Sequence, residues 1–143
     1  MSSWSQVNIE FSPSSKGNYQ VTKEIEAQIK DELKKYKMGI VNIFLLHTSA
    51  ALTITENHDP HVRTDMDMAL DRIAPENLPY EHTEEGKDDM PAHVKSSLTG
   101  ASLNIPISNG KLVLGTWQGI FLCEFRQAIH KRKAVITISG STE

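Results

Sequence analysis

The stretch GIVNIFLLHTSAALTITEN, Gly39 to Asn57, holds two apolar runs split by a short polar break. Gly39–His47 is β-branched and apolar, so it reads as a buried strand that ends at His47. Ala51–Asn57 alternates, with Leu52, Ile54 and Glu56 on one face, and reads as a second strand. Helical periodicity lies on both sides of this pair. Upstream, Val21, Ile25, Ile29, Leu33 and Tyr36 recur every three or four residues. Thr22 fits the N-cap, Lys34, Lys35 and Lys37 suit the C-terminal end, and Gly39 suits the stop. Downstream, DPHVRTDMDMALDRIAP predicts a helix with Asp59 at the N-cap and Pro60 in the first position. Its apolar stripe is Val62, Met66, Ala69 and Ile73, and Pro75 ends it.

Further outward the pattern stays mixed. QVNIEF (Gln6–Phe11) alternates as a half-buried strand, and SPSSKGN reads as a loop. MPAHVKSSLTG is a short helix, with Pro91 near its start and Gly100 past its end. SLNIPI and KLVLG flank Asn109-Gly110, a strong hairpin signal. TWQGIFLCEFRQ reads as one long strand. Trp117, Phe121, Cys123 and Phe125 share one face, and Gln118, Ile120, Leu122, Glu124 and Arg126 share the other. KAVITISG closes the chain. About seven short strands and three helices without βαβ regularity predict an α+β fold. Its mostly antiparallel sheets pack face to face, sandwich-like, with helices at the sides.

The 143 residues suit one domain, 1–143, large enough to hold a core without staples. A formal net charge of −3 gives no long-range attraction to nucleic acid or anionic membrane. One cysteine excludes an intrachain disulfide framework. No window has the apolar length of a membrane span or a signal peptide, so a cytoplasmic location is expected, with the nucleus added where the source has one.

Polar residues that break an apolar pattern are where function is sought. His47, Thr48 and Ser49 interrupt the opening stretch; a polar turn explains the last two better than the histidine. YEHTEEGKDDMPAH (Tyr80–His93) crowds Glu81, Glu84, Glu85, Asp88 and Asp89 around Lys87 alone. A solvated loop is the plain reading of such a run. His82 and His93 bracket it, however, and imidazole with carboxylate is a ligand set for divalent metals. Asp89 also fits a helix N-cap. Thr116 and Gln118 surround Trp117 between Gly115 and Gly119, where backbone can approach a ligand or form a bulge. Glu124 and Arg126 make either a surface ion pair, worth under ~1 kcal/mol, or an anion site if another subunit covers them. His58 and His61 fit cap and solvent roles. Cys123 reads as a buried inert thiol. HKRK (His130–Lys133) is too short for nucleic-acid binding. No GxGxxG, P-loop, GxSxG or CxxC is present. His47, His82 and His93 thus fall near element ends, and three protein ligands plus an open position make a catalytic metal site. Spacing leaves open whether they converge.

The strings HTSAALTITEN followed by DP (His47–Pro60, with His58 between), YEHTEEGKDDMPAHVKSSLTGASLNIPI (Tyr80–Ile107) and GKLVLGTWQGIFLCEFR (Gly110–Arg126) resemble the YjbQ-like family. The resemblance implies a compact sandwich-like α+β fold, a homotrimer, and a polar pocket close to a subunit interface. It implies His47, His82 and His93 as metal ligands. Thr48, Ser49, Asn57, Asp88, Asp89, Lys95, Ser97, Thr116, Gln118, Glu124 and Arg126 would line the pocket. It also implies a weak thiamine-phosphate synthase activity, joining a pyrimidine diphosphate to a thiazole phosphate with release of pyrophosphate. His61 departs from the family, in which an acidic residue is common after DP.

The expectation is a metal-dependent enzyme on a small phosphorylated or anionic substrate, with zinc or magnesium as cofactor. His47, Glu84 and Asp88 would move protons. Asp88 and Asp89 could hold a metal ion, and Lys95 and Arg126 could bind phosphate oxygens. The dedicated synthase resembles a TIM barrel of about 250 residues, so a shared activity would be convergent or incidental. The alternatives are a metal-assisted hydrolase with Glu84 or Asp88 as base, and a non-catalytic trimeric metal- or ligand-binding protein.

Overall fold

The computed structural model describes residues 2–143. Among them, eight strands and three helices follow one another along the chain without regular alternation. They run β1 (Ser2–Phe11), β2 (Gly17–Gln20), α1 (Thr22–Leu33), β3 (Met38–Leu45), β4 (Ala50–Glu56) and α2 (Pro60–Ile73). Then come α3 (Asp89–Thr99), β5 (Ser102–Ser108), β6 (Lys111–Leu112), β7 (Gln118–Glu124) and β8 (Arg132–Ser141). One five-stranded sheet has the order β1-β8-β3-β5-β6, and a three-stranded sheet has the order β2-β7-β4. Every pairing is antiparallel.

The opening stretch decides this architecture. β3 lies in the larger sheet and β4 in the smaller, so the polar break at His47–Ser49 is the corner where the chain changes sheets. Val41, Ile43 and Leu45 from β3 meet Leu52 from β4 and Ile120 and Leu122 from β7 in one core. Ile105, Ile107, Ile136 and Ile138 extend it, and α1 closes it with Ile25, Ile29 and Leu33. The opposite face of the smaller sheet buries Ala51, Cys123 and Phe125 with Ala92 of α3. The expected parity of β7 therefore holds, and both of its faces are covered. Burial pushes the Cys123 thiol up to about 12, as an inert core cysteine requires.

Asn109 and Gly110 both take positive φ, 49° and 75°, in the β5–β6 turn, the geometry that Asn-Gly supplies in tight hairpins. Four local expectations are corrected. GNYQ forms an additional strand, β2, because β7 offers it a pairing edge. β7 starts at Gln118, so Thr116 and Trp117 lie in a turn before it. Thr22 is the first helical residue rather than the cap, and its hydroxyl accepts the Ile120 N–H (2.9 Å). Gly39 does not stop α1; it lies inside β3 opposite Gly140, where an added Cβ would come within 2.2 Å of Ser139 O.

α2 is capped as expected, with the Asp59 carboxylate accepting the His61 N–H. Its inward face is rotated from the expected one: Val62 is half-buried, and Leu70, outside the expected stripe, packs against Ala51, Cys123 and Phe125. Met66 and Ile73 of the apolar stripe are 38% and 60% exposed. The inward face instead carries Arg63 over the Phe121 ring, and Asp67 and Asp71 bonded to Lys16. No helix of the described residues is long and apolar enough to cross a membrane.

Candidate functional site

The start of α3 carries the site. Asp89 and His93 stand one turn apart and therefore project from one helix face. The Asp89 side chain is 1% exposed. Its Oδ1 accepts from Arg126 Nη1 (2.7 Å), and its Oδ2 lies 2.7 Å from His82 Nε2 and 3.1 Å from His93 Nε2. The candidate ligand atoms of His82, Asp89 and His93 all fall within 4.8 Å of one another.

The acidic loop owes its shape to Arg126, just past β7. Besides Asp89, its guanidinium donates to Asp88 Oδ2 (3.2 Å) and to the Glu85 carbonyl (2.8 Å). Asp88 Oδ2 also accepts the Gln127 N–H (2.7 Å). Asp88 takes the N-cap position of α3, the role first offered to Asp89. Burial pushes the Asp89 carboxyl up, but the His82 hydrogen bond and the His93 and Arg126 charges outweigh it and hold the group low. Asp88 is likewise held low against burial by Gln127 and Arg126.

One contact fixes the chemistry of His93. Its Nδ1 is 2.8 Å from the Thr48 carbonyl. A carbonyl only accepts, so Nδ1 carries the proton. In the neutral ring, Nε2 then turns a lone pair toward the Asp89 carboxylate. Two acceptors at 3.1 Å repel unless a proton or a cation lies between them. A histidine that gives its far N–H to a backbone carbonyl is the usual support of a metal-bound imidazole. The donor set thus fits a divalent ion.

His47 stands apart from this group. Its Nε2 accepts the Lys133 N–H (2.7 Å). It shares with His93, Thr48, Ser96 and Ser97 the wall of an open cleft of about 610 Å³. The hydroxyls of Ser97 and Ser96 donate to the His93 and Ala50 carbonyls. Burial lowers the His47 pKa, and Arg132 lowers it further.

The remaining predicted residues disperse. Glu124 is 1% exposed and pairs with Arg132, not Arg126: Arg132 Nε donates to Oε1 at 2.7 Å and Nη2 to Oε2. The Arg132 Nη2 also donates to Ser49, both Oγ (3.0 Å) and carbonyl (3.3 Å). Ser49 and Glu124 therefore tie the two sheets together rather than face a ligand. Lys95 is 3% exposed and donates to Asp71 Oδ1 (2.6 Å) in a separate cavity of about 250 Å³ that Lys16 and Asp88 also line. Asn57 Nδ2 donates to the Thr116 and Gln118 carbonyls, and Gln118 Oε1 accepts the Gly115 N–H. These three sit at the opposite end of β7 from Glu124, about 20 Å away at strand rise. Glu84 is exposed on the loop. Arg132 escaped the sequence reading inside HKRK. Its phase was the available signal: 132, 134, 136 and 138 share the buried face of β8, so a charge there needs an opposite charge on the facing sheet.

The family model described as UPF0047 protein YjbQ-like matches residues 7–141. The UPF0047 protein YjbQ of Salmonella typhimurium is 44% identical over 137 residues, 96% of this chain and 99% of the relative. A UPF0047 protein of Synechocystis is 50% identical over 105 residues, 73% of this chain and 71% of the relative. A crystal structure from Clostridium acetobutylicum, described as an uncharacterized conserved protein of the yjbq/upf0047 family, is similar with a TM-score of 0.82 and 34% identity. It covers 92% of this chain and 98% of that one. A YbjQ-like protein of unknown function from Sulfolobus solfataricus matches with a TM-score of 0.88 and 25% identity, over 99% of this chain and 100% of that one.

Proposed function

The chain belongs to the UPF0047 YjbQ-like family, and from the geometry of its histidine–aspartate cluster we propose a metal-dependent enzyme acting on a small phosphorylated or otherwise anionic substrate. The observation that carries this reading is the His93–Thr48 hydrogen bond, which aims His93 Nε2 at Asp89 beside His82. His82, Asp89 and His93 would hold the ion, in place of the three-histidine set. A divalent ion there supplies positive charge to substrate oxygens and polarises the bond to a leaving group. The cleft beside His93 receives the substrate, with His47 and Thr48 on its wall.

Thiamine-phosphate synthesis is the reaction to assay first, on the strength of the family resemblance. The chain's own residues amend the expected division of labour. Arg126 is occupied by Asp88, Asp89 and the Glu85 carbonyl, and Lys95 by Asp71. Phosphate donors in the cleft are then His47 and Thr48. Asp88 is engaged by Arg126 and Gln127, which favours Glu84 over Asp88 as the proton acceptor in a hydrolytic reading. Asn57, Thr116 and Gln118 reach such a site only from a second copy, so the homotrimer that the family resemblance implies belongs to the proposal; Trp117, 59% exposed beside them, suits that contact.

The test is pyrophosphate release from the pyrimidine diphosphate and thiazole phosphate, alongside a panel of phosphate esters, with and without chelator. Turnover that disappears on chelation and in His93→Ala supports the enzyme reading. Turnover indifferent to both sinks it, and metal binding without turnover points to the binding module.

A further inference from the structure

His47 stood among the expected metal ligands, and its hydrogen bond gives it a different task. The Lys133 backbone N–H can only donate, so His47 Nε2 must be the acceptor of that 2.7 Å bond. The neutral ring then carries its proton on Nδ1. To bind a metal through Nδ1 the ring would have to lose that proton as well, and to bind through Nε2 it would have to release Lys133. Neither fits a ring tied to the first residues of β8 at the sheet-changing corner.

We propose that His47 is a neutral hydrogen-bond donor whose Nδ1–H holds an oxyanion, a phosphate or carboxylate oxygen of the ligand in the cleft beside His93. This rests on the reading of that cleft as the substrate site. The composition of the cleft wall supports it. Ser96 and Ser97 direct their hydroxyls at protein carbonyls. No described residue accepts from His47 Nδ1, and the Thr48 hydroxyl has no protein acceptor either. Both residues line the cleft, each with a donor that no described residue accepts, and no carboxylate lines it. A wall with free donors and no acidic group suits an acceptor-rich ligand. The surroundings disfavour the charged form of the ring. Burial disfavours the charged ring, and Arg132, His130 and Lys133 oppose a further positive charge. Glu124 acts the other way, and because it is paired with Arg132 the two charges offset each other, which leaves burial as the main cause.

Histidine-selective ¹⁵N labelling and long-range ¹H–¹⁵N correlation on the wild-type protein read the tautomer directly. His47 is expected with Nδ1 protonated and Nε2 bare at neutral pH. Inorganic phosphate and acetate are then titrated by calorimetry into the wild type, His47→Asn and His47→Gln, with metal content measured in each sample. Asn places an amide nitrogen near Nδ1, whereas Gln places its polar end near Nε2. A hydrogen bond to a charged group is worth a factor of about ten to a hundred. His47→Gln should lose that much phosphate affinity, His47→Asn should keep most of it, and metal content should match the wild type in both. A tighter response to phosphate than to acetate, or the reverse, identifies the source of the oxyanion. An Nε2–H or doubly protonated ring, a metal lost with His47, or a wild type that binds neither anion overturns the proposal. Absent metal with the tautomer and anion discrimination intact sinks the metal reading instead.

Discussion

Arg132→Met removes the cation of a pair sealed between the sheets. The side chains of Arg132 and Glu124 are 3% and 1% exposed, and the guanidinium meets both carboxylate oxygens as well as Ser49. After the substitution Glu124 keeps one hydrogen bond, from the Arg126 N–H (3.1 Å), for a charge that water cannot reach. Breaking a buried pair from one side costs about 3–5 kcal/mol. That is a large share of the ~5–15 kcal/mol that holds a domain together. With a urea slope of about 2 kcal/mol/M, the unfolding midpoint should drop by roughly 2 M. Glu124→Leu should cost a similar amount by stranding Arg132. The double variant Glu124→Leu, Arg132→Met strands neither charge and should recover most of the loss, because apolar replacement of a whole buried pair is often neutral or better. Urea unfolding of all four proteins at one fixed concentration measures the cycle. Single losses under about 1 kcal/mol, the behaviour of an exposed pair, would refute the assignment of Glu124 and Arg132 to the interior.

Three other outcomes follow from the same contacts. Lys16→Met leaves Asp67 and Asp71 without their shared ammonium, so α2, which buries no apolar residue, should show faster amide exchange before the sheets do; unchanged exchange in α2 refutes the ion-paired anchoring. For His47 the folded pKa lies below the unfolded value of about 6.5, so its contribution is complete above that pH and fades as pH falls through the folded value. Wild type should lose more stability on acidification than His47→Gln, and parallel curves would contradict this. Gly140→Ala places a Cβ within 2.2 Å of Met38 O and should cost about 1–3 kcal/mol through the β3–β8 seam; a thermal midpoint within a degree of wild type would show that the seam yields freely.

β3 and β4 were legible in the sequence because β-branched alternation is local, and the polar break marked their corner. The Asn-Gly hairpin was legible because few other residue pairs accept two positive φ angles. The α2 stripe misled because periodicity shows that a helix has two unlike faces, without saying which one faces inward. Here the inward face is mixed: Leu70 packs on the smaller sheet, while Arg63, Asp67 and Asp71 meet the Phe121 ring, Lys16 and Lys95, partners that come from distant segments. The candidate His82–Asp89–His93 cluster was half legible. The two histidines bracketing the acids marked the loop, and Asp89 stands one turn before His93. The separation of His47 from the cluster goes with its bond to the Lys133 N–H, a contact 86 residues away that spacing cannot show. The scatter of Asn57, Thr116 and Gln118 likewise follows from the direction of β7, which spacing cannot reveal.

In the proposed site His82, Asp89 and His93 hold a divalent ion, with His93 aimed by the Thr48 carbonyl. The decisive measurement is metal per chain, by mass spectrometry on untagged protein reloaded with zinc after chelation, in wild type, His93→Ala and His47→Ala. About one equivalent in wild type and His47→Ala, with none in His93→Ala, is the predicted result. Equal metal in wild type and His93→Ala, or no zinc retained by wild type, would contradict it.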